Sequence, residues 1–483
     1  MINASLGQIC QWVGGDFGRA QDVRIESIQI KGVGTDTRQS MVGQLFIALT
    51  GARFDGHKFL ADAREQGARA ALVSSYQPNV DLPQIVVADT LTALGALAHH
   101  WRIQVDPKVV LITGSAGKTT VKQLVAAMLA QTAATVATRG NRNNEIGLPL
   151  TLLDMPADTR FAVLEAGANH VGEIAKLTQI AQPDLGLVTM AGRAHLGEFG
   201  GVEAVIRAKG ELYQHLDDQA IALINLASPG AEQWQQSVTT EQQRGVCLLE
   251  DDNPAICAQA FWRGERQQGQ ALQVFEGDKL LFSAIQNPMA GRHNAINLLL
   301  AIACTRGLGV GVTAIEQGVL NASLPSGRMQ QHWYAGQVCL IDDSYNANPE
   351  SMQAALAELA EFQGPRVAVL GSMGELGEYA EQLHIKLGEQ AAQAGVTQLI
   401  AVGPHREAIA QGYRALQTGQ SVFLAEDASG AKRLLASSLA YLDQTRAITT
   451  PLVVLLKGSR FMQLETLIPT VQAHVNHQQA GES

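Results

Sequence analysis

The chain is short of positive charge, of paired cysteines and of long apolar runs. Its 35 lysines and arginines face 45 aspartates and glutamates, giving a net charge of −10. Broad nucleic-acid binding depends on clustered basic side chains, and no basic run is present, so no nucleic-acid partner is expected. The five cysteines, Cys10, Cys247, Cys257, Cys304 and Cys339, are odd in number and show no C-x-x-C spacing. That speaks against a disulfide framework or a zinc site, and for buried free thiols in a reducing compartment. The longest apolar run, INLLLAIAC at 296–304, falls well short of the roughly 20 residues needed to cross a bilayer. The N-terminal stretch MINASLGQICQWVGGDF lacks a basic segment followed by an apolar one. We therefore expect a cytoplasmic protein, a monomer with no signal peptide and no membrane association. Repeats of fixed period and low-complexity stretches are also lacking.

What is present is an ordinary globular composition, 46% apolar and 17% charged, in 483 residues. That length exceeds one hydrophobic core and predicts two to four domains. Three regions separate. Residues 1–104 hold short strand-like pieces, QLFIAL (44–49) and QIVVAD (84–89), and an amphipathic helix pattern, LTALGALAHHWR (91–102). QVDPKVV (104–110) reads as a linker, because Asp106-Pro107 disfavours a helix.

Residues 105–325 begin with VVLIT (109–113), followed by glycines and then a helix pattern with Val121, Leu124, Val125, Met128 and Leu129 on one face. Further apolar strands, FAVLEAG (161–167), LGLVTM (185–190) and AIALIN (220–225), alternate with helical stretches and predict a mostly parallel α/β sheet. LPSGR (324–328) ends that pattern. Residues 326–483 alternate again through VCLID (338–342), RVAVLG (366–371), QLIAVG (398–403), SVFLAE (421–426) and LVVLLKG (452–458). This predicts a second α/β domain of Rossmann-like type.

The chemistry starts at LITGSAGKTT (111–120). The full P-loop pattern asks for a glycine five residues before Gly117, where Ile112 stands. A strand, a glycine turn and a helix N-terminus nevertheless make an anion site. Their backbone N–H groups lack internal partners, and the helix dipole favours negative charge. Gly114, Ser115, Ala116, Gly117, Thr119 and Thr120 supply the loop. Lys118 adds a cation for the β- and γ-phosphates, and Thr119 a hydroxyl for Mg²⁺.

Glu165 closes a strand, where a carboxylate can hold Mg²⁺ directly or through water; it reads equally well as a salt-bridged glutamate. His195 lies in the glycine-flanked loop GRAHLGEFG, beyond another strand end, where ligands of α/β sheets gather; taken alone it reads as structural. Asn294 of GRHNAINLLLA starts a helix and reads equally as an N-cap. DDSYNANPES (342–351) crowds polar groups at a strand end, and capping of the helix from Pro349 accounts for some of them. GSMGELG (371–377) is only a weak dinucleotide signal.

In the order TGSAGKTT, GNRNNEIGLPLTLL, LEAGANHVGEI, AHLGEFG, AKGELY, AGRHN, SGR and DDSYNANPESM, the chain resembles the Mur ligases. The resemblance runs from GVGTDTRQSMVGQLFIALTGARFDGHKF (32–59) to LLKGSR (455–460). That family carries TGxxGKT[TS], so Ile112 is no departure from it. The resemblance implies three domains, with a central ATPase domain and a Rossmann-like C-terminal one. GNRNNEIG, LEAGANH and DDSYNAN point to the branch whose substrates are UDP-N-acetylmuramoyl tripeptide and D-alanyl-D-alanine. The implied reaction activates a carboxylate as an acyl phosphate with ATP, which an amine then attacks.

By the same resemblance Lys118 holds phosphates, while Thr119, Glu165 and His195 serve Mg²⁺, with two ions implied. Lys209 of RAKGELY matches a lysine carbamoylated by carbon dioxide that helps hold the second ion. Composition alone would place Lys209 on a helix surface. Asn294 matches an adenine contact, Arg328 a phosphate contact and Asp343 a nucleotide contact from the third domain. Asn143, Asn144, Tyr345 and Asn346 match the peptide-substrate side, and Thr37 and Arg38 the UDP end. TMAGRAHLGEFG departs slightly from the family's usual stretch. Because Arg328 and Asp343 lie outside the central domain, the site is expected to complete itself by closure, with Pro325 to Arg328 as the hinge. The competing readings are a sister ligase, folylpolyglutamate synthase, a nucleotide switch and a small-molecule P-loop kinase. The lack of N-K-x-D argues against a guanine-nucleotide switch.

Overall fold

In a computed structural model the described residues are 1–18, 23–51, 54–193, 196–238, 242–249, 260–267, 270–324, 326–334, 337–416, 421–445 and 450–481. Three main sheets follow one another along the chain.

The first sheet has five strands, in the order Asp16–Phe17, Gln84–Val86, Ala70–Val73, Leu45–Ile47, Val33–Gly34. The helix Thr90–Val105 closes this region and locks it to the next. Trp101 Nε1 donates to the Met155 carbonyl at 3.0 Å, and Arg102 Nε donates to the Ala181 carbonyl at 3.0 Å. The expected linker 104–110 is a correction: the helix runs through Val105, Asp106 caps it at φ 51°, and the next strand begins at Lys108. Pro107 ends the helix as expected, yet only a two-residue joint separates helix from strand.

The second sheet has nine strands, with Lys108–Thr113 third from one edge. Its neighbours are Phe161–Glu165 and Leu185–Val188, both parallel. Side chains alternate between two cores: Val109 and Leu111 face one, Val110 and Ile112 the other. A strand buried on both faces reads as a continuous apolar run, which is why VVLIT was legible. The far edge is different. Trp262–Arg266, Ala271–Glu276 and Lys279–Gln286 pair antiparallel, an extension the sequence reading missed. Lys279–Gln286 buries only two of its eight residues, so it offers no apolar run.

The third sheet orders its strands Gln330–Tyr334, Val338–Asp343, Leu452–Lys457, Arg366–Gly371, Gln398–Val402, Ser421–Ala425. All but the first are parallel, with helices covering both faces. The α/β expectation therefore holds in both the second and the third region.

The cysteine expectation needs one correction. Cys10, Cys304 and Cys339 are free and buried, but Cys247 is disulfide-bonded. Cys257 lies outside the described residues. The odd count and the lack of a C-x-x-C pair did not reveal that bond. The argument for a reducing compartment loses that support. Among the described residues no helix is long and apolar enough to cross a membrane.

Candidate active site

The loop after Lys108–Thr113 turns on two glycines with positive φ, Gly114 at 142° and Gly117 at 82°. Their lack of a side chain is also a packing requirement. A Cβ on Gly114 would stand 2.1 Å from Thr189 Oγ1, and one on Gly117 would stand 2.5 Å from Asn297 Oδ1. The loop is pinned from the neighbouring strand end: Ser115 N donates to the Met190 carbonyl at 2.7 Å, and Thr189 Oγ1 donates to the Ala116 carbonyl at 2.5 Å. The helix Lys118–Leu129 starts at once, with its N-terminus at the loop.

Lys118 folds back on this loop, and its Nζ donates to the Gly114 carbonyl at 2.6 Å. Burial lowers its pKa, against the pull of Glu165. Thr120 is buried within the same helix. Thr119 faces across to the next strand, where its Oγ1 donates to Glu165 Oε2 at 3.1 Å. Glu165 is 4% exposed. Asn143 Nδ2 donates to its Oε1 at 3.1 Å, and Lys122 Nζ sits 3.3 Å from Oε2. Burial pushes this carboxyl up, but Lys118, Lys122 and the Asn143 hydrogen bond outweigh it and hold the pKa below the ordinary value.

Among the described residues no cluster of three or more His, Cys, Asp or Glu could hold a metal. One carboxylate with a hydroxyl beside it is instead the donor set of a hard cation such as Mg²⁺, which takes one or two protein oxygens and completes its shell with water and phosphate. Thr119 and Glu165 fit that demand. His195 lies outside the described residues.

Lys209, on the helix Val202–Gln214, is 2% exposed rather than on a helix surface. Its Nζ lies 3.5 Å from the Ala168 carbonyl and 5.7 Å from the centre of the Phe199 ring. Burial, then the charge of Lys118, push its pKa down to about 7.

Asn294 is buried in the first turn of Arg292–Gly307, whose N-cap is Gly291, so a plain N-cap does not describe it. Its Nδ2 donates to the Ala290 carbonyl at 2.7 Å, and Asn297 Nδ2 donates to its Oδ1 at 3.2 Å. Asn297 thereby links Asn294 to Gly117.

The C-terminal domain lies directly against the loop. Asn348 Nδ2 donates to the Ser115 carbonyl at 3.3 Å, Arg193 N donates to Glu350 Oε1 at 2.8 Å, and Gly197 N donates to the Glu375 carbonyl at 3.2 Å. Asn348 is also the N-cap of Pro349–Ala360, with a capping box to Ser351. Arg328 lies over the Tyr345 ring at 4.4 Å, and its charge reaches Lys118. Asp343 is buried, with its pKa raised by that burial. Its Oδ1 accepts from Met329 N at 3.1 Å, and its Oδ2 accepts a short bond from Lys457. Lys457 Nζ also donates to the Asn346 carbonyl at 3.1 Å. Pro325 lies outside the described residues.

The remaining expected residues are placed apart from the phosphate loop or are used locally. Asn144 Oδ1 accepts from Gly147 N at 2.9 Å and so serves the start of the helix Gly147–Leu153. Arg38, in the first domain near Thr37, is exposed and forms a two-pronged pair with Asp36 at 2.8 and 2.7 Å. Sequence reading missed Lys122, Asn297, Asn348, Glu350 and Lys457. Helical spacing could have flagged two of them: Lys122 stands four residues after Lys118 and Asn297 three after Asn294, so each pair shares a face.

Three family models match in order along the chain: the Mur ligase family catalytic domain at residues 29–102, the Mur ligase middle domain at 112–305, and the Mur ligase glutamate ligase domain at 327–460. The chain is 36% identical over 478 residues to the UDP-N-acetylmuramoyl-tripeptide–D-alanyl-D-alanine ligase of Escherichia coli, covering 98% of this chain and 99% of that one. A crystal structure of MurF from Acinetobacter baumannii superposes with a TM-score of 0.86 at 32% identity, over 98% of this chain and 99% of that one. MurF from Thermotoga maritima, solved in complex with ADP, superposes with a TM-score of 0.76 at 26% identity, over 93% of this chain and 98% of that one.

Proposed function

The chain belongs to the Mur ligase family, and we propose that it is the ATP-dependent ligase joining D-alanyl-D-alanine to UDP-N-acetylmuramoyl tripeptide. Its product is the UDP-muramoyl pentapeptide precursor of peptidoglycan. The observation that carries this reading is the phosphate loop with Lys118, Thr119 and Glu165, roofed by Asn348 and Arg328 of the third domain, in a chain that matches such ligases over its whole length.

A carboxylate resists amines because it is a poor electrophile carrying negative charge. One of its oxygens attacks the γ-phosphorus of ATP, the bond to the β-phosphate oxygen breaks, and ADP leaves. The amine of D-alanyl-D-alanine then attacks the acyl carbon and loses a proton, and phosphate departs with the bonding pair. The protein contributes position and charge. Lys118 exchanges its hold on the Gly114 carbonyl for the β- and γ-phosphates. Backbone N–H groups from Ala116 to Thr119 cradle the same oxygens. Arg328 brings a second cation from the opposite side, and Asn294 stands where an adenine contact is needed. Asp343, held by Lys457, takes the nucleotide from the third domain. Asn143, Asn144, Tyr345 and Asn346 form the peptide side, and Thr37 and Arg38 the UDP end.

Thr119 and Glu165 would hold Mg²⁺, which neutralises charge developing on the phosphates. Lys209 deepens this reading. A lysine takes up carbon dioxide only through its neutral amine, and a buried lysine with a pKa of about 7 supplies that amine at physiological pH. We read it as carbamoylated, facing a second metal position together with His195.

The test is phosphate release with UDP-muramoyl tripeptide, with and without D-alanyl-D-alanine, with the product weighed by mass spectrometry. A nucleotide switch would release phosphate without the dipeptide, and a kinase would leave a stable phosphorylated product.

A further inference from the structure

The phosphate-loop helix carries two lysines one turn apart, and Lys122 has no part in the reading above. It is 1% exposed, and its ammonium has no hydrogen-bond partner among the described residues. Its opposite charge is Glu165 Oε2, at 3.3 Å. Burying an ammonium is costly, and an apolar side chain of like size would fill this space without that cost.

The surrounding charges show what the ammonium does. Lys118 and Lys122 both act on Glu165, while Arg328 and Glu375 act on Lys118. Two cations, Lys118 and Lys122, therefore act on the single carboxylate of Glu165 where Thr119 meets it. The two lysines differ in freedom. Lys118 is half-buried and bonded to a neutral carbonyl, which phosphate oxygens displace easily. Lys122 is enclosed and stays on Glu165. A bare divalent cation entering here meets net positive charge, whereas a cation accompanied by nucleotide phosphates does not.

We propose that Lys122 holds the metal position closed to a free divalent cation, so that the cation loads only with nucleotide phosphates. The inference rests on Thr119 and Glu165 being that position. When Lys118 turns to the phosphates, Lys122 remains as the standing counter-ion that keeps Glu165 charged and in one orientation.

The test is Mn²⁺ binding to the full-length protein, followed by electron paramagnetic resonance with and without ADP. Wild type should bind Mn²⁺ at this position with ADP and only weakly without it. Lys122→Met should bind Mn²⁺ without ADP about tenfold tighter or more, since a nearby cation has been removed. Lys122→Arg, which keeps the charge, should behave as wild type. Lys122→Gln gives the same comparison should the methionine variant fail to fold. Equal ADP-free affinity in wild type and in the uncharged variant would overturn the proposal, as would tight ADP-free binding by wild type. A Glu165→Gln variant that loses no Mn²⁺ affinity in the presence of ADP would instead sink the placement of the metal itself.

Discussion

Asn348, in the C-terminal domain, donates through Nδ2 to the carbonyl of Ser115, in the phosphate loop of the central domain, at 3.3 Å. The same side chain accepts from Ser351 N through Oδ1 at 2.8 Å, capping the helix Pro349–Ala360. One amide thus joins the start of a third-domain helix to the proposed phosphate loop. Docking of that domain also brings Arg328 toward Lys118. In the proposed reaction this docking serves to exclude water from the acyl phosphate.

Asn348→Asp separates the two jobs of this side chain. Aspartate caps a helix as well as asparagine does, but it cannot donate to Ser115. The melting temperature should stay close to wild type. Turnover should fall about tenfold, the value of one positioned hydrogen bond, and small-angle scattering with an ATP analogue and the tripeptide substrate should show less compaction. Unchanged turnover would leave the bridge without a role.

Lys118→Ala removes the cation proposed to meet the β- and γ-phosphates. Turnover should fall by about 10² to 10³ or more, as for loss of one electrostatic stabiliser, while circular dichroism stays that of wild type. A variant that retains activity would exclude the phosphate-loop reading.

Gly117→Ala tests the loop geometry. It places a Cβ 2.5 Å from Asn297 Oδ1 on a backbone at φ 82°. We expect ADP affinity to collapse, with a stability loss on the order of 1–3 kcal/mol from the strained backbone. Isothermal titration with ADP, set beside thermal melting, would show whether the loss is larger in binding than in folding.

The pH dependence of Lys209 follows from its pKa of about 7, well below that of a free lysine. Above that value the amine is mostly neutral, the form that the proposed carbamoylation requires. As the pH falls through it, protonation competes. The bicarbonate needed for full activity should therefore rise as the pH drops below 7. Lys209→Ala should be crippled and partly restored by small carboxylates such as acetate. Full activity in that variant would sink the carbamate.

Lys457→Met leaves Asp343 buried without its counter-charge. Breaking one side of a buried pair costs about 3–5 kcal/mol, so thermal denaturation should report a marked loss. Lys457→Met/Asp343→Leu, which removes both charges, should recover much of that loss if the pair is structural alone.

Much of this was legible in the residues. The buried strands 109–113, 161–165 and 338–343 announced themselves as apolar runs, and Gly114 and Gly117 announced the turn between strand and helix. The antiparallel edge at 262–286 did not, because Lys279–Gln286 buries only two of its eight residues and none of the three strands forms a continuous apolar run. The bonded state of Cys247 did not, because no C-x-x-C or similar pair marks it in the sequence.

By itself the sequence determined the α/β class, the three regions, the glycine turn before Lys118 and, through resemblance, the family. These are local matters of periodicity, turn chemistry and motif order. Only the tertiary structure decided that Asn143 and Lys122 converge on Glu165, that Lys209 is buried rather than on a helix surface, and that Asn348 crosses to Ser115. Burial and charge are set by neighbours from other strands and another domain, so no reading along one chain segment contains them.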